Sequence, residues 1–357
     1  MHETYLAEFA EPTGYLDFAR FGPPSRAVAA VTARLTDAAV RSGPGTVTAL
    51  MDHEARARAA AARLSGADVE RVVLMPNTST GIAQAASGIA GRVLVPAADF
   101  PANTYPWSRA DRGPVDWLTA RPTPDAVAAA LRPDTTAVAV SAVDFRTGWP
   151  ADLAALREVV GDRLLVVDGI QGFGAVESAW DAADVLVVGG QKWLRAGWST
   201  GFAVLSPTAL ERIAPRFASW RGAHEHMVFD NTVHPPAADA ESWLLTNPNP
   251  IAAAALAEAL ELVESAGVGA IASRIAERVG ELADAVQSAG LPIVDRGPTI
   301  LTFTAPDIPA TAKALSDAGI AASPRTDHIR LSPHASTTPA SVEALRASLS
   351  PARAAKR

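Results

Sequence analysis

The sequence predicts an α/β protein, with a large domain built on a mostly parallel sheet and a smaller C-terminal α+β domain. Three observations lead to this prediction. Short runs rich in β-branched residues alternate with alanine-rich stretches of helical pattern. The helical stretches open with Thr or Pro, which favour the first positions of a helix. After about residue 245 the alternation is replaced by two long helical patterns and then by short strands.

The alternation in the first part of the chain predicts a sheet covered by helices on both faces, because strands joined through helices run parallel. The predicted strands are short apolar runs at 71–76, 92–100, 136–145, 163–170, 184–190 and 200–207. The predicted helices between them lie at 80–91, 123–132 and 150–161. In such sheets ligands bind beyond the carboxyl ends of the strands, so we expect the binding and catalytic residues at these ends.

The C-terminal part has a different pattern. It predicts two helices and three short strands before a final helix, with the helices at 250–267 and 269–290 and the strands at 299–306, 319–325 and 328–333. We therefore divide the chain into an N-terminal arm (1–14), a large domain (15–245) and a small domain (246–357). The small domain begins with the helix at 250–267 as a long connector.

Composition narrows the range of functions. The 357 residues carry a net charge of −7, so the chain lacks the basic surface typical of nucleic-acid binding. Cysteine is absent, which excludes disulfides, thiolate metal sites and a cysteine nucleophile. No apolar run reaches the length of a membrane span, and no apolar segment follows a basic start. We therefore expect a cytoplasmic protein with neither a membrane anchor nor a secretory signal.

A lysine stands directly after the apolar run "VVGGQ", in a chain that otherwise uses arginine for positive charge. Only three of the 31 basic residues are lysines, namely Lys192, Lys313 and Lys356. Lys313 lies in a predicted surface helix, and Lys356 is next to last. Lysine, unlike arginine, readily loses its proton when buried and then attacks carbonyl carbons. We therefore predict that Lys192 is a reactive amine.

Other predicted strand ends carry side chains that complete this chemistry. Asp168 ends the run "LLVVD", Thr78 and Ser79 follow "VLMPN" at a helix start, and Phe100 follows "LVPAAD". Taken singly, each has an ordinary interpretation as a helix cap, a solvated strand end or a core side chain. Together they match pyridoxal phosphate. A helix N-terminus binds the phosphate, a lysine holds the aldehyde as a Schiff base, a carboxylate pairs with the pyridine nitrogen and an aromatic ring stacks on the cofactor.

The segment "VVDGIQGFGAVESAWDAADVLVVGGQKWL" (166–194) resembles the signature of class V aminotransferases. These are fold-type I pyridoxal phosphate enzymes, grouped with cysteine desulfurases, isopenicillin N epimerase-like proteins and kynureninases. Four further segments are similar to family elements, so the resemblance covers nearly the whole chain: "YLDFARFGPPSRAV", "DFPANTYPW", "TNPNPIAAAALAEALELV" and "HIRLSPHASTTPASVEAL". The resemblance implies the fold-type I transferase architecture, with a mostly parallel seven-stranded sheet between helices.

The resemblance also implies roles for individual residues around the cofactor ring. Lys192 corresponds to the Schiff-base lysine, which also shuttles protons. Asp168 corresponds to the partner of the pyridine nitrogen, and Gln171 to the contact of the ring hydroxyl. Phe100 takes the stacking position, where relatives have His or Tyr.

At the cofactor phosphate, the resemblance implies contacts from Thr78 and Ser79. Gln191 takes a position where a phosphate-binding His is common. Thr246 would reach the phosphate bound by the neighbouring subunit, which implies a homodimer with a shared active site. Gly189 departs from the family pattern, because many relatives have a phosphate-binding Ser there.

The expected substrate is a small molecule, an amino acid. Arg330 corresponds to the arginine that holds the substrate α-carboxylate, a task that suits the planar, bidentate guanidinium. Arg146 and Arg20 are candidates for further substrate contacts, and the alternative interpretation of each is an ion pair with a nearby carboxylate. His224 and His226 have no further ligands beside them in the sequence, so we predict no metal site.

The resemblance implies an enzyme acting at the α-carbon of an amino acid and leaves several reactions open. We favour an aminotransferase-type or epimerase-like reaction. The alternative is a carbon–sulfur, β-eliminating lyase, because "RTDHIRLSPH" (325–334) also resembles the C-terminus of carbon–sulfur lyases of the ergothioneine pathway. Desulfurases of the family pass sulfur through an enzyme cysteine, which this chain lacks. A pyridoxal phosphate-binding protein without catalytic activity is a third alternative.

Overall fold

The computed structural model describes residues 3–349, and within them it contains two β-sheets. The strands of the larger sheet are β1 (Val72–Leu74), β2 (Arg92–Pro96), β3 (Val115–Leu118), β4 (Thr135–Ser141), β5 (Leu164–Asp168), β6 (Val185–Gly189) and β7 (Gly201–Leu205). They are ordered β1-β7-β6-β5-β4-β2-β3. β7 runs antiparallel to both of its neighbours, and the other pairs are parallel. The predicted fold, an α/β protein on a mostly parallel seven-stranded sheet, is confirmed.

The helices of residues 3–349 are α1 (Glu3–Ala7), α2 (Arg26–Val40), α3 (Thr46–Met51), α4 (His53–Ser65), α5 (Thr78–Gly88), α6 (Pro101–Arg109), α7 (Pro124–Ala130), α8 (Leu153–Val160), α9 (Pro207–Arg212), α10 (Pro250–Ala266), α11 (Val268–Ser288), α12 (Ile308–Asp317) and α13 (Pro339–Leu349). Several begin with a side chain that accepts a backbone N–H of the first turn. α7 begins at its predicted Thr123 cap, whereas α5 begins two residues before the predicted start and α8 three residues after it. Asn77 caps α5, Thr123 caps α7 and Asp152 caps α8. None of the helices in the described part of the chain is long and apolar enough to cross a membrane.

Two apolar cores cover the two faces of the larger sheet, as the alternation of side chains along β5 shows. Leu165 and Val167 belong to one core, together with side chains of α4, α8 and α10. Leu164 and Val166 belong to the other, together with side chains of α5, α6 and α9. Strands that are buried on both faces explain why the sequence shows continuous apolar runs here rather than alternation with polar residues.

The second sheet lies in the C-terminal part and is antiparallel throughout. Its strands are β8 (Ile293–Arg296), β9 (Leu301–Phe303), β10 (Ser323–Pro324) and β11 (Ile329–Leu331), in the order β10-β11-β9-β8. The residues between α1 and α2, 8–25, form the N-terminal segment. It runs beside this sheet, because Tyr15 pairs with Ala321 and Asp17 pairs with Ser332. The first of the two cores continues into this sheet. The division into an arm and two domains stays a prediction, and its last residues, 350–357, lie outside the described part.

Two strands are absent from the sequence prediction. β3 is one of the two edge strands of the larger sheet, and of its four residues only Leu118 is buried. β8 is one of the two edge strands of the smaller sheet, and its residues alternate between half-buried and exposed. These two strands carry polar side chains toward solvent and so lack the apolar runs that identify the buried strands, including β1 at the other edge of the larger sheet.

Candidate functional site

A cavity of about 260 Å³ opens at one edge of the larger sheet, where four strands end. β1 and β6 are both antiparallel to β7, so β1 runs in the same direction as the parallel strands. The carboxyl ends of β1, β2, β5 and β6 therefore meet at this edge. The cavity is lined by residues that directly follow these strand ends. Residues of the N-terminal segment and of the second sheet complete its lining.

Lys192 lies in the turn after β6 and lines this cavity. Its Nζ is 5.5 Å from the centre of the Phe100 ring. Burial lowers the pKa of Lys192 to about 8; the negative charge of Asp168 opposes this shift, and the positive charge of Arg330 adds to it. A substantial fraction of the amine is therefore neutral near physiological pH, which is the form that attacks a carbonyl carbon.

Asp168 is the last residue of β5, is only 2% exposed and lines the same cavity. Its Oδ1 accepts a hydrogen bond of 3.0 Å from the backbone N–H of Ile170. Burial raises the pKa of Asp168 to about 7, and the carboxylate of Asp99 raises it further, whereas the Ile170 N–H and Lys192 lower it. A carboxylate in this position gains stability from a protonated ring nitrogen placed against it.

Gln171 also lines the cavity and is held by two hydrogen bonds. Its Nε2 donates to the backbone oxygen of Ala19 at 2.9 Å, and its Oε1 accepts from Trp193 Nε1 at 2.9 Å. The amide is therefore held between the N-terminal segment and the turn that carries Lys192. Its predicted contact with a ring hydroxyl stays a prediction.

One end of the cavity is formed by the N-terminus of α5, where Thr78 and Ser79 line it. Asn77 caps this helix by accepting the backbone N–H of Thr80 at 2.9 Å. The Thr78 Oγ1 is buried and, within residues 3–349, has no hydrogen-bond partner. A buried hydroxyl beside the N–H groups of a helix start is suited to an anion such as a phosphate.

Gly189, which departs from the family pattern, leaves space at this end of the cavity. A Cβ at this position would lie 2.8 Å from Thr78 Oγ1 and 2.7 Å from Gln191 Oε1. The glycine therefore avoids an overlap with the Thr78 hydroxyl and the Gln191 amide. Gln191 lines the cavity, and its predicted phosphate contact stays a prediction.

Phe100 lines the cavity with its ring 41% exposed. It packs edge-on against Phe145, with ring centres 5.1 Å apart at an interplanar angle of 74°. The turn before it is held by Asp99, which accepts the backbone N–H of Phe100 at 2.6 Å and the Ser141 hydroxyl at 2.6 Å. This rigid, half-exposed ring is suited to stack on a flat cofactor.

Arg330 lies in β11 and brings a buried guanidinium to the cavity. It donates to the Phe145 backbone oxygen at 2.7 Å and the Ser323 hydroxyl at 3.1 Å, and it pairs with Asp17 at 3.3 Å. Its Nε is buried without a partner among the described residues. Arg20 lines the same cavity with an exposed side chain. Both positions agree with the predicted substrate contacts, which stay predictions.

Arg146, a predicted substrate contact, lines a neighbouring cavity and not the Lys192 cavity, and its role stays a prediction. Its guanidinium pairs with Asp144 at 2.9 Å, and its backbone N–H donates to the same carboxylate at 2.7 Å. This pairing agrees with the alternative interpretation, an ion pair with a nearby carboxylate.

Thr246 lies apart from the other predicted cofactor residues. It is exposed and lines a separate, mostly apolar cavity of about 460 Å³ between α5, the segment 243–249 and α10. The predicted role of Thr246 concerns the neighbouring subunit, so it stays a prediction.

Several residues of the site were not predicted from the sequence as site residues. Asn77, Phe145, Trp198 and Arg325 line the Lys192 cavity. The signal for Asn77 was its place before the helix start at Thr78. Arg325 lies in the turn between β10 and β11, and the signal for it was its position five residues before Arg330 in the same hairpin.

Comparison with known proteins agrees with this geometry. A family model described as aminotransferase class-V matches residues 24–356, nearly the whole chain. The chain belongs to this family. No curated protein sequence matches the chain significantly.

Solved structures share the fold of this class-V aminotransferase family member. A mutant of C-DES with glycine covalently linked to the pyridoxal phosphate cofactor is 17% identical, with a TM-score of 0.88 and coverage of 98% of this chain and 99% of the other. The complex of the cystine C–S lyase C-DES with cysteine persulfide is 18% identical, with a TM-score of 0.85 and coverage of 94% and 97%. The cysteine desulfurase CsdA from Escherichia coli is 20% identical, with a TM-score of 0.85 and coverage of 97% and 96%.

The cofactor of this class-V aminotransferase family member is pyridoxal 5′-phosphate, and the residues of the cavity fit it. Lys192 offers an amine with a lowered pKa, and Asp168 offers a buried carboxylate that an adjacent cation would stabilise. The unpartnered hydroxyl of Thr78, at the start of α5, offers a phosphate site. These three features are suited to bind an aldehyde, a protonated ring nitrogen and a phosphate. The cofactor carries all three of these groups.

Proposed function

We propose that this enzyme is a pyridoxal phosphate-dependent carbon–sulfur lyase that acts on an amino acid with a sulfur substituent on its β-carbon. The observation that carries the proposal is the Lys192 amine, which faces the same small cavity as the buried Asp168 and has a lowered pKa. An amine of this kind both holds the cofactor and accepts a proton from the substrate α-carbon.

Each residue of the cavity has a separate role in the proposed reaction. When bound, the cofactor supplies an electron-poor ring that takes up the electron pair left at the α-carbon. Lys192 Nζ would hold the cofactor and would accept the α-proton of the substrate. Asp168 would keep a proton on the ring nitrogen, and Phe100 would cover one ring face. Arg330 holds the α-carboxylate and so orients the substrate.

Two observations favour a lyase over the aminotransferase-type or epimerase-like reaction that the sequence alone favours. A cystine C–S lyase is among the structures that share this fold over nearly the full length of both chains. β-Elimination also needs no nucleophile beyond the lysine, which suits a chain without cysteine. The reaction balances as amino acid plus water giving pyruvate, ammonia and the thiol. Desulfuration through an enzyme persulfide would require a cysteine.

The test is product analysis with the cofactor-loaded enzyme. L-Cystine and S-methyl-L-cysteine are supplied without any 2-oxo acid, and pyruvate, ammonia and the released sulfur compound are measured. Equal amounts of the three products, formed without an amino acceptor, are expected. Formation of a keto acid only when a 2-oxo acid is added would replace the proposal with transamination. Conversion of an L-amino acid to its D-form would replace it with epimerisation.

We further infer that two copies of the chain form a homodimer in which each active site is shared. The inference rests on Thr246, whose counterpart in the family contacts the phosphate bound by the other subunit. In this chain Thr246 is exposed and lies at a second cavity whose lining is mostly apolar. An exposed threonine beside an apolar cavity is suited to meet another chain.

A further inference from the structure

Two arginines at the mouth of the Lys192 cavity lack a carboxylate partner. Arg20 and Arg325 both line the cavity and are exposed. Among residues 3–349, no acceptor lies within hydrogen-bond or ion-pair distance of either guanidinium. Elsewhere in the chain arginine is regularly paired with a carboxylate, as in Arg58–Glu241, Arg92–Asp116, Arg157–Asp184 and Arg195–Glu11.

The two arginines come from separate parts of the fold. Arg20 lies in the N-terminal segment, which pairs with the second sheet through Asp17 and Ser332. Arg325 lies in the turn between β10 and β11, next to the hairpin strand that carries Arg330. Burial lowers the pKa of Arg330, the carboxylate of Asp17 opposes this shift, and the positive charges of Arg325 and Arg20 add to it, so both of these guanidinium groups lie close enough to act on Arg330.

The other charges of the site already have partners. Asp17 pairs with Arg330, and the charge of Asp168 acts on Lys192. The start of α5 with Thr78 provides for the phosphate, and Arg330 provides for one carboxylate. Arg20 and Arg325 are therefore the cationic side chains of this cavity that no carboxylate of residues 3–349 pairs with.

We propose that Arg20 and Arg325 bind a second anionic group, a carboxylate at the end of the substrate side chain. This inference rests on the proposed function and names its substrate class: an amino acid whose sulfur substituent ends in a carboxylate. Two guanidinium groups with free donors form charge-assisted hydrogen bonds with a carboxylate.

The experiment compares two substrates that differ only in this charge, S-carboxymethyl-L-cysteine and its neutral amide S-carbamoylmethyl-L-cysteine. The cofactor-loaded wild type is compared with Arg325→Gln and Arg20→Gln. The control is Arg34→Gln, an exposed arginine of α2 away from the cavity. The readouts are kcat/KM for pyruvate release, Kd from the change in cofactor absorbance on adding each compound, and the affinity for the cofactor itself.

We expect the wild type and Arg34→Gln to prefer the acid over the amide by about 10-fold or more, the size of a charge-assisted hydrogen bond. Arg325→Gln and Arg20→Gln should lose most of this preference, because kcat/KM should fall far more for the acid than for the amide. Equal use of both compounds by the wild type, or binding of neither, overturns the inference. So does an equal loss for both compounds in the variants, or weaker cofactor binding, since the arginines would then serve the α-carboxylate or the phosphate.

The proposed function and this inference fail in different ways. If pyruvate is released from neither compound but the acid still binds more tightly than the amide in an Arg325-dependent manner, the second anion site stands and the lyase reaction is wrong. If pyruvate is released from both at the same rate, the lyase reaction stands and the second anion site is wrong.

Discussion

Gly22 lies directly against the peptide group of Lys192. Its backbone N–H donates to the Gln191 carbonyl oxygen at 2.9 Å, and a Cβ at position 22 would overlap the Lys192 carbonyl oxygen and come within 2.9 Å of Arg195 Cγ. The N-terminal segment therefore packs on the turn that presents the reactive amine. Only glycine permits this approach, because every other residue would bring a Cβ into the backbone of the turn.

Substituting Gly22→Ala is expected to displace this turn and lower catalytic efficiency more than stability. A shift of about 1 Å in a reacting group costs on the order of 100-fold in rate. kcat for pyruvate release and the melting temperature would be measured together. Gly43→Ala is the matched control, because nothing lies within 4 Å of a Cβ there. Normal activity in Gly22→Ala would show that the turn tolerates displacement and that its position does not matter.

Lys192→Ala is expected to abolish the covalent link to the cofactor, because no other lysine lies in the cavity among the described residues. Borohydride reduction followed by mass spectrometry should place the mass of the cofactor on the peptide that contains Lys192, in the wild type only. Lys313→Ala is the matched control, since Lys313 is an exposed side chain paired with Asp317. A labelled peptide elsewhere, or unchanged pyruvate release in Lys192→Ala, would contradict the assigned role.

Asp168→Asn is expected to lower activity without lowering the stability of the cofactor-free protein. Loss of the carboxylate should lower kcat by at least about 100-fold, since the ring nitrogen loses its partner. The cofactor-free variant should be more stable than wild type at pH 8. The folded-state pKa of Asp168 is raised, so the ionised carboxylate is a cost that appears as pH rises toward about 7, and Asn removes this cost. Strong destabilisation of the cofactor-free variant would assign Asp168 a structural role instead.

The parts of the site that sequence predicts well share one physical reason. Asp168 and Lys192 follow apolar runs that read as buried strands, and a parallel sheet brings the carboxyl ends of its strands to one edge. Their convergence therefore follows from the pattern alone. The helix start at Thr78 is predictable for the same reason, since the strand before it and the Asn77 cap are both visible in the sequence.

The residues of the site that the sequence does not predict lie in loops, where the direction of a side chain depends on its neighbours. Arg146 and Arg325 both lie in loops near the sheet edge, and both precede or follow an acidic residue by two positions. Asp144 forms an ion pair with Arg146. Asp327 pairs with His328 instead, and Arg325 lines the cavity. Nothing in the spacing distinguishes these outcomes, because each is decided by neighbours that the chain brings in from elsewhere.

A shared active site predicts complementation between two defective chains. Thr246→Val should weaken cofactor binding, and Lys192→Ala should abolish activity. In a mixed dimer of the two variants, one site would carry both changes and the other would combine an intact Lys192 with an intact Thr246 of the partner subunit. Mixing under conditions that exchange subunits should therefore restore sites of wild-type cofactor affinity and activity. If each site uses only its own chain, mixing will restore neither, and sedimentation will report whether a dimer forms at all.

The N-terminal segment is also expected to couple pH to stability through Glu11. This buried carboxylate pairs with Arg195, three residues after Lys192, at 2.6 Å. Burial alone would raise the pKa of Glu11, but the hydrogen bond and charge of Arg195 outweigh it and lower the pKa. The folded-state pKa is therefore below the unfolded one. The stability that Glu11 contributes is fully present above the unfolded pKa of about 4.3 and is lost as pH falls through the folded value.

Glu11→Gln should consequently lower the free energy of unfolding by about 3 kcal/mol at pH 7, because the buried Arg195 charge loses its partner. The difference from wild type should shrink as the pH is lowered below about 4, where the wild-type carboxyl also loses its charge. Urea unfolding across this pH range measures both effects. Asp37→Asn, in an exposed pair with Arg41, is the control and should cost at most about 1 kcal/mol. A Glu11→Gln cost that is constant with pH would mean that packing, and not the ion pair, holds the segment against the Lys192 turn.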